Sequence, residues 1–172
     1  LIDSGKFRYD KKSPQRQYVM STRAHNTVEI DGQDFSRYRL DVFGSAITAG
    51  GTTDGPYFVE AEVDRKRFFK TKHRRILVFQ PGQWLAVIDQ LRSPDPHLKV
   101  SEATAGFTAS LTVPDKSLQV IPLYGQETLQ QTLIRGQHQP RLQGWTSLDY
   151  GELTPNHAAG FTARGRNATF IT

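Results

Sequence analysis

The amino-acid sequence predicts an all-β fold in a single domain. Apolar residues recur at every second position, turn-forming residues separate short apolar runs, and no long window has the spacing of an amphipathic helix. The chain of 172 residues has the size of one ordinary domain and can bury one sizeable core. We therefore expect many short strands arranged as a sandwich or a barrel.

Local patterns place the individual strands. Val28 and Ile30 alternate with polar residues, as in a strand with one buried face. The run Trp84–Ile88 is continuously apolar, as in a strand buried on both faces. Turn signals such as Pro81-Gly82 and Gly50-Gly51 separate the runs. The other predicted strands are Lys6–Asp10, Tyr57–Val63, Phe68–Phe79, Leu98–Glu102, Phe107–Val113, Leu118–Leu123, Gly160–Ala163 and Ala168–Thr172, and the two short helix candidates are Asp34–Arg39 and Gln126–Thr132.

Composition narrows the classes of protein. The chain has no cysteine, which excludes disulfides and thiolate metal sites. No apolar run approaches the roughly 20 residues that cross a bilayer, and the first residues lack the pattern of a signal peptide. Because there is no initiating Met, we expect the chain to be part of a longer protein. The net charge of +5 fits an anionic partner, and equally an ordinary soluble domain with surplus Lys and Arg.

The segment from Ser21 to Gly32 is the most informative stretch of the chain. Val28 and Ile30 share one face of a strand, so period-two geometry places His25 on the opposite face, together with Thr27 and Glu29. A histidine on that face could meet a ligand or a neighbouring domain, although a single histidine in a strand is more often a surface or hydrogen-bonded residue.

A second histidine lies in a strongly basic segment, residues 64–75. If no bulge intervenes, the odd positions, which include His73 and Arg75, share one face of a strand. Such a face suits carboxylates or sulfates, because arginine makes bidentate bonds to planar anions. The alternative is a charged edge strand that discourages edge-to-edge pairing.

Two histidines and an aspartate from different strands could together bind zinc, with water as the fourth ligand. No local metal-binding motif fixes the choice among the candidates. The histidines are His25, His73, His97, His138 and His157, and the acidic candidates include Asp31, Asp34, Asp41 and Asp54.

Several sequence blocks, in order and over nearly the whole chain, resemble the heparinase II/III-like family. Residues 1–9 open with Leu-Ile-Asp-Ser-Gly and end in Tyr9, and residues 21–32 read Ser-Thr-Arg-Ala-His-Asn-Thr-Val-Glu-Ile-Asp-Gly. The stretch from His73-Arg74-Arg75 to Val87-Ile88-Asp89 is similar to a second family block. Residues 144–152, with Gly-Trp-Thr-Ser and Tyr-Gly-Glu, are similar to a third.

The resemblance implies a two-domain enzyme. The family joins a helical (α/α) toroid to an antiparallel β-sandwich, and this chain would be the C-terminal β-sandwich, residues 1–172, without its toroid. The family's bacterial enzymes cleave uronate-containing polysaccharides such as heparan sulfate and alginate by β-elimination. The expected partners are therefore an anionic polysaccharide and the chain's own helical toroid, with no nucleic acid and no membrane. A periplasmic or secreted location is favoured.

The resemblance also assigns roles to residues. It implies a zinc ion held by His25, Asp41 and His73, with Asp34 as the competitor for the acidic position. It implies Tyr57 as a catalytic residue. Where some lyases of the family carry a catalytic histidine, this chain has Arg23, which stays protonated and cannot act as a base but can pair with a substrate anion.

The sequence therefore predicts the C-terminal domain of a polysaccharide lyase that contributes a zinc-braced face to the active cleft. Because the toroid's residues are missing, the isolated domain is expected to be inactive. The alternative is a non-catalytic carbohydrate-binding or scaffold β-sandwich. Nucleic-acid binding through residues 64–75 draws on the same basic charge but lacks exposed aromatic residues among the basic ones.

Overall fold

The computed structural model describes residues 3–30, 32–35, 44–52, 54–65, 71–92, 104–105, 130–162 and 167–171. Contacts divide the chain into two compact units. The first comprises Leu1–Phe35, Glu102–Val120 and Leu129–Thr162, and the second comprises Ser36–Ser101, Ile121–Thr128 and Ala163–Thr172. Within the described part of the chain, no helix is long and apolar enough to cross a membrane.

The described residues form mainly β-strands, as the sequence predicts. Apart from one 3-10 turn (Thr22–Ala24), the elements in chain order are helix α1 (Pro14–Val19) and strands β1 (Val28–Glu29), β2 (Ala46–Thr52), β3 (Tyr57–Arg65), β4 (Thr71–Gln80), β5 (Trp84–Arg92), β6 (Thr104–Ala105), β7 (Gln130–Arg135), β8 (Trp145–Thr146), β9 (Thr154–Pro155), β10 (His157–Thr162) and β11 (Asn167–Ile171).

In the first unit, the described residues form α1 and three short strand pairs, β1–β6, β7–β10 and β8–β9, all antiparallel. Helix α1 begins where the Ser13 side chain accepts a hydrogen bond from the backbone N–H of Arg16, and Pro14 occupies its first turn. The helix buries Tyr18, whose hydroxyl accepts hydrogen bonds from the N–H groups of Gly144 at 3.1 Å and Trp145 at 3.3 Å. Tyr18 forms a hydrophobic core together with Phe7, Val19 and Ala24. Partly buried apolar side chains pack against this core: Met20, Leu142, Trp145 and Leu153.

In the second unit, the described residues form a five-stranded antiparallel sheet with the order β11-β5-β4-β3-β2. Strand β4 lies in the interior of this sheet, between β3 and β5. Odd-numbered residues of β4 and β5 share one face, which is buried around His73, Asp89 and Leu91. The prediction that His73 and Arg75 share one face of a strand is therefore confirmed.

Other predictions differ from the structure. Lys6–Asp10 is not a strand, because Phe7 has a positive φ of 64° and its carbonyl accepts a hydrogen bond from Gly151 N–H. The expected turn Gly50-Gly51 lies inside β2. The described part of the helix candidate Gln126–Thr132 is the start of β7, because it pairs with β10. The strands predicted at Leu98–Glu102, Phe107–Val113 and Leu118–Leu123 lie outside the described residues.

Candidate functional site

The sequence blocks at the two ends of the first unit meet through their backbones. Ser147 N–H donates to Ser4 O at 2.9 Å, and Gly5 forms a bridge with Ser147. Gly5 has a φ of +80°, and a Cβ at this position would lie 2.0 Å from Ser147 O. Only glycine fits this close approach. The Ser4 hydroxyl in turn donates to the carbonyl of Ala24, which joins the central block of residues 21–32 to the other two.

His25 lies at the end of the 3-10 turn and not on a strand. Asp34 fixes this turn, because its Oδ1 accepts hydrogen bonds from both N–H and Oγ1 of Thr22, each at 2.7 Å. Strand β1 begins only at Val28. The prediction that His25 continues the strand of Val28 and Ile30 is therefore wrong, and the contact with Asp34 is the physical reason.

The His25 ring is held between a carbonyl and a carboxylate. Its Nδ1 donates to Ser21 O at 2.8 Å, since a carbonyl can only accept. Its Nε2 lies 3.3 Å from Oδ2 of Asp3, and the His25 side chain is 34% exposed. Nε2 and the Asp3 carboxylate thus lie together at the surface of the first unit.

Arg23 is engaged by a buried carboxylate. Its Nε and Nη2 donate to Oε1 of Glu29 at 3.1 and 2.8 Å, and Nη2 also donates to Gly32 O at 3.2 Å. The Glu29 side chain is only 2% exposed, and Nη1 of Arg141 lies 4.0 Å from its second oxygen. Glu29 therefore does not lie on the exposed face expected from a period of two, because two arginines compensate its charge in the interior.

In the second unit, His73 and Arg75 share the carboxylate of Asp89. Nε2 of His73 lies 2.6 Å from Oδ1, and Arg75 donates from Nε to Oδ1 at 2.7 Å and from Nη2 to Oδ2 at 2.8 Å. Burial raises the pKa of the Asp89 carboxyl, but these hydrogen bonds outweigh burial and hold that pKa below its usual value. The face of β4 that carries the odd-numbered residues therefore binds a carboxylate, as the sequence suggested. This carboxylate belongs to Asp89 in the neighbouring strand β5.

The other face of the same sheet carries cross-strand ion pairs. Lys72 donates to Glu62 at 3.0 Å, and Arg74 bonds to Glu60 and to Oε1 of Gln90. These carboxylates neutralise part of the basic charge of residues 64–75. The alternative interpretation of this segment as a charged edge strand is wrong, because β4 has a neighbouring strand on each side.

Tyr57 is the first residue of β3. Its ring stacks on Phe79, with centroids 5.4 Å apart and an angle of 22° between the planes. The residue is 44% exposed, so the ring both packs on the sheet and reaches solvent.

The implied zinc ligands fit zinc by donor type. Each histidine has one ring nitrogen bonded to an oxygen, Ser21 O for His25 and Asp89 Oδ1 for His73, and such bonds orient metal-binding histidines. His25 belongs to the first unit and His73 to the second. Asp41 lies outside the described residues. In the part of the chain that the structure describes, no group of three or more His, Asp or Glu side chains is close enough to hold a metal ion.

The sequence reasoning missed four charged residues that organise these sites: Asp3, Glu29, Asp89 and Arg141. Asp3, Glu29 and Asp89 occur within the blocks that resemble the family, so the blocks contain them without assigning them a role. Arg141 carries no local signal, because its approach to Glu29 depends on tertiary contacts.

The chain is similar to known proteins in sequence and in fold. Residues 1–160 match the family described as heparinase II/III-like, C-terminal. No functionally curated protein matches the chain. Among solved structures, a heparinase III with methylated lysines is 17% identical with a TM-score of 0.71, and the match covers 98% of this chain and 26% of that one. The heparan sulfate lyase HepC from Pedobacter heparinus is 15% identical with a TM-score of 0.65, covering 98% and 27%.

These matches confirm the predicted fold class, an antiparallel β-sandwich domain of the heparinase II/III C-terminal type. The chain spans about a quarter of the length of the solved structures that it resembles, 26% and 27%. The family match extends over most of the sequence, from residue 1 to residue 160. The chain therefore belongs to the heparinase II/III-like family, as its C-terminal domain.

Proposed function

We propose that this chain is the C-terminal domain of a lyase that cleaves uronate-containing anionic polysaccharide by β-elimination. The observation that carries the proposal is the family match over residues 1–160. The solved structures of similar fold are named as heparinase III and as a heparan sulfate lyase. A net charge of +5 suits an anionic substrate.

The proposed reaction requires the protein to perform three chemical tasks. The uronate carboxylate must be neutralised, the C5 proton removed, and the leaving O4 protonated. Tyr57 is the proposed proton-transfer residue of this domain, and its half-exposed hydroxyl-bearing ring supports that role. Arg23 is the proposed partner of a substrate anion. Its hydrogen bonds to Glu29 and Gly32 come from Nε and Nη2, and an arginine side chain has five N–H donors in all.

His25, Asp41 and His73 are the proposed zinc ligands. Zinc would have a mainly structural role here, holding its ligands in fixed positions near the cleft. The support for this proposal is that a hydrogen bond to an oxygen orients one ring nitrogen of each histidine. The ligand atoms would then be His73 Nδ1 and His25 Nε2, which lies beside the Asp3 carboxylate in this structure. Asp34 is a weaker candidate for the acidic position, because three hydrogen bonds already converge on its Oδ1.

The lyase proposal is tested with the intact protein that contains this chain. Heparan sulfate and alginate are offered separately, and the ultraviolet absorbance of the unsaturated product is followed. We expect turnover by the intact protein and none by residues 1–172 alone, so turnover by the isolated chain would contradict the division of the active site between two domains. Tyr57→Phe keeps the ring on Phe79 and removes only the hydroxyl. It should lower kcat by about a hundredfold or more if Tyr57 transfers a proton.

The zinc proposal is tested by measuring the metal content of the purified intact protein. Wild type should contain one equivalent of zinc, and His25→Ala, Asp41→Asn and His73→Ala should each lose it. His138→Ala is the control, because His138 is an exposed histidine that lies beside Trp145. Zinc retained by a ligand variant would remove that residue from the set.

The second candidate function is a non-catalytic carbohydrate-binding domain. The engagement of Arg23 by Glu29 and of Tyr57 by Phe79 favours it, because both side chains already have structural partners. Binding of heparan sulfate or alginate by the intact protein without any unsaturated product would decide for this alternative.

A further inference from the structure

Two exposed tyrosines lie side by side on the first unit. Tyr9 is 70% exposed and Tyr150 is 73% exposed, and their ring centroids are 6.3 Å apart with an angle of 43° between the planes. Leu148, close in sequence, is 72% exposed. Large apolar side chains that are exposed together mark interaction sites more often than single ones do. Both tyrosines belong to the sequence blocks that resemble the family, and neither has a role in the function proposed above.

Hydrogen bonds join the two chain segments that carry these rings. Gly151 N–H donates to Phe7 O at 2.8 Å, and Arg8 Nη2 donates to Gly151 O at 3.4 Å. These bonds join the neighbours of Tyr9 to the neighbours of Tyr150, although the two segments are far apart in sequence. A surface that is already ordered loses little conformational freedom on binding.

Two cationic side chains, Lys6 and Arg16, lie near Tyr9. The ammonium group of Lys6 lies 3.9 Å from the centroid of the Tyr9 ring, and Arg16 donates from Nη1 to the carbonyl of Lys6. The hydrogen bond from Lys6 and the positive charges of Lys6 and Arg16 lower the pKa of the Tyr9 hydroxyl. The nearby carboxylate of Asp10 accepts a hydrogen bond from the backbone N–H of Lys12. An anionic group beside the Tyr9 ring would thus meet cations.

We propose that Tyr9 and Tyr150 form a saccharide platform, on which one sugar ring of an anionic polysaccharide stacks while Lys6 and Arg16 pair with its carboxylate or sulfate. The C–H face of a sugar ring is apolar and packs on an aromatic ring, and the Lys6 ammonium, which lies over the Tyr9 ring, can pair with a charged substituent of the same sugar. The class of ligand rests on the proposed function. The platform adds a second contact with the same polymer, separate from Arg23 and Tyr57.

The test compares variants of the intact protein. Affinity for long heparan sulfate and alginate chains is measured by titration calorimetry. KM and kcat are measured as well for each polymer that the protein cleaves. Tyr9→Ala with Tyr150→Ala should raise Kd or KM about tenfold for the preferred polymer and leave kcat unchanged, because the platform binds but does not react. Tyr9→Phe with Tyr150→Phe keeps both rings and should stay within about twofold of wild type.

Two further variants separate the contribution of the tyrosine rings from that of other apolar side chains and from that of charge. Leu133→Ala removes an apolar side chain of equal exposure elsewhere on the first unit and should change nothing. Lys6→Gln should weaken binding of the charged polymer and reduce its dependence on salt. An unchanged affinity in the double alanine variant would overturn the proposal. So would a lower Tm with unchanged affinity, because the rings would then pack against another part of the protein.

The platform and the proposed lyase function can fail separately. If the intact protein binds a uronate polymer through the two rings and releases no unsaturated product, the lyase function is wrong and the platform stands. If the protein cleaves the polymer and the double alanine variant keeps the wild-type KM, the lyase function stands and the platform is wrong.

Discussion

Nε2 of His73 lies 2.6 Å from Oδ1 of Asp89, and both side chains are almost completely buried. Arg75 completes the cluster by bonding to both oxygens of the same carboxylate. We predict that Asp89→Asn lowers the free energy of unfolding by about 3 kcal/mol, because it leaves buried donors without their anion. Urea denaturation followed by circular dichroism measures this change.

The matched control is an exposed ion pair on the opposite face of the same sheet. Glu62→Gln removes the partner of Lys72, whose side chain is 59% exposed, and should cost less than about 1 kcal/mol. Equal losses in the two variants would mean that burial does not strengthen the Asp89 cluster.

The same cluster predicts a dependence of stability on acid. Hydrogen bonds from His73 and Arg75 hold the pKa of Asp89 in the folded chain below its unfolded value of about 3.9. The stability that Asp89 contributes is therefore fully present above about pH 4 and is lost as the pH falls through the lower, folded pKa. Urea midpoints below pH 4 should fall more steeply for wild type than for Asp89→Asn, and parallel curves would refute the assignment to Asp89.

The pairing of Arg23 with Glu29 predicts a structural effect in addition to any effect on substrate. Arg23→Gln leaves the Glu29 carboxylate buried with a weaker partner, so we expect the free energy of unfolding to fall by about 3 kcal/mol. Replacing both residues, by Arg23→Met and Glu29→Leu, should recover part of this loss. If Arg23→Gln changed KM alone and left the urea midpoint at the wild-type value, the buried pair would contribute nothing.

Replacing Gly144 by alanine should cause a steric clash. The same replacement at Gly32 serves as the comparison, because it adds backbone strain without a clash. A Cβ on Gly144 would lie 2.8 Å from the carbonyl oxygens of both Asn156 and Ile134, at a φ of +74°. Gly32 has a similar φ of +67° and nothing within 4 Å of its added Cβ. Gly32→Ala should cost about 1 kcal/mol from backbone strain, and Gly144→Ala about 3 kcal/mol because overpacking is added. Thermal melts of the two variants should therefore differ clearly in Tm.

The fold was predictable where the pattern is local. Alternation and apolar runs located β3, β4, β5, β10 and β11 to within a few residues, because side chains on a pleated strand point to alternate faces. Helix α1 was missed although Ser13-Pro14 is a recognisable start for a helix. Strand β2 was missed because two consecutive glycines normally mark a turn, and pairing with β3 overrides that preference.

Candidate site residues could be named from the sequence, but their positions relative to one another in space could not. Period-two spacing could not reveal that Asp34 ties down Thr22 and so turns His25 out of the strand. Nor could it reveal that Glu29 is buried, because its compensating partner Arg141 is remote in sequence. Side-chain pairs between distant segments depend on tertiary structure, and a single sequence does not encode them in any local pattern.

The bridge between Gly5 and Ser147 has a consequence for synthesis on the ribosome. At translation rates of about 5–20 residues per second, the opening block emerges on the order of ten seconds before its partner exists. Strands β2 to β5, by contrast, pair in consecutive order and can form as they appear. A nascent chain arrested before residue 147 should therefore already contain the hairpins of the second unit, while its opening block, residues 1–9, is still cleaved readily by protease.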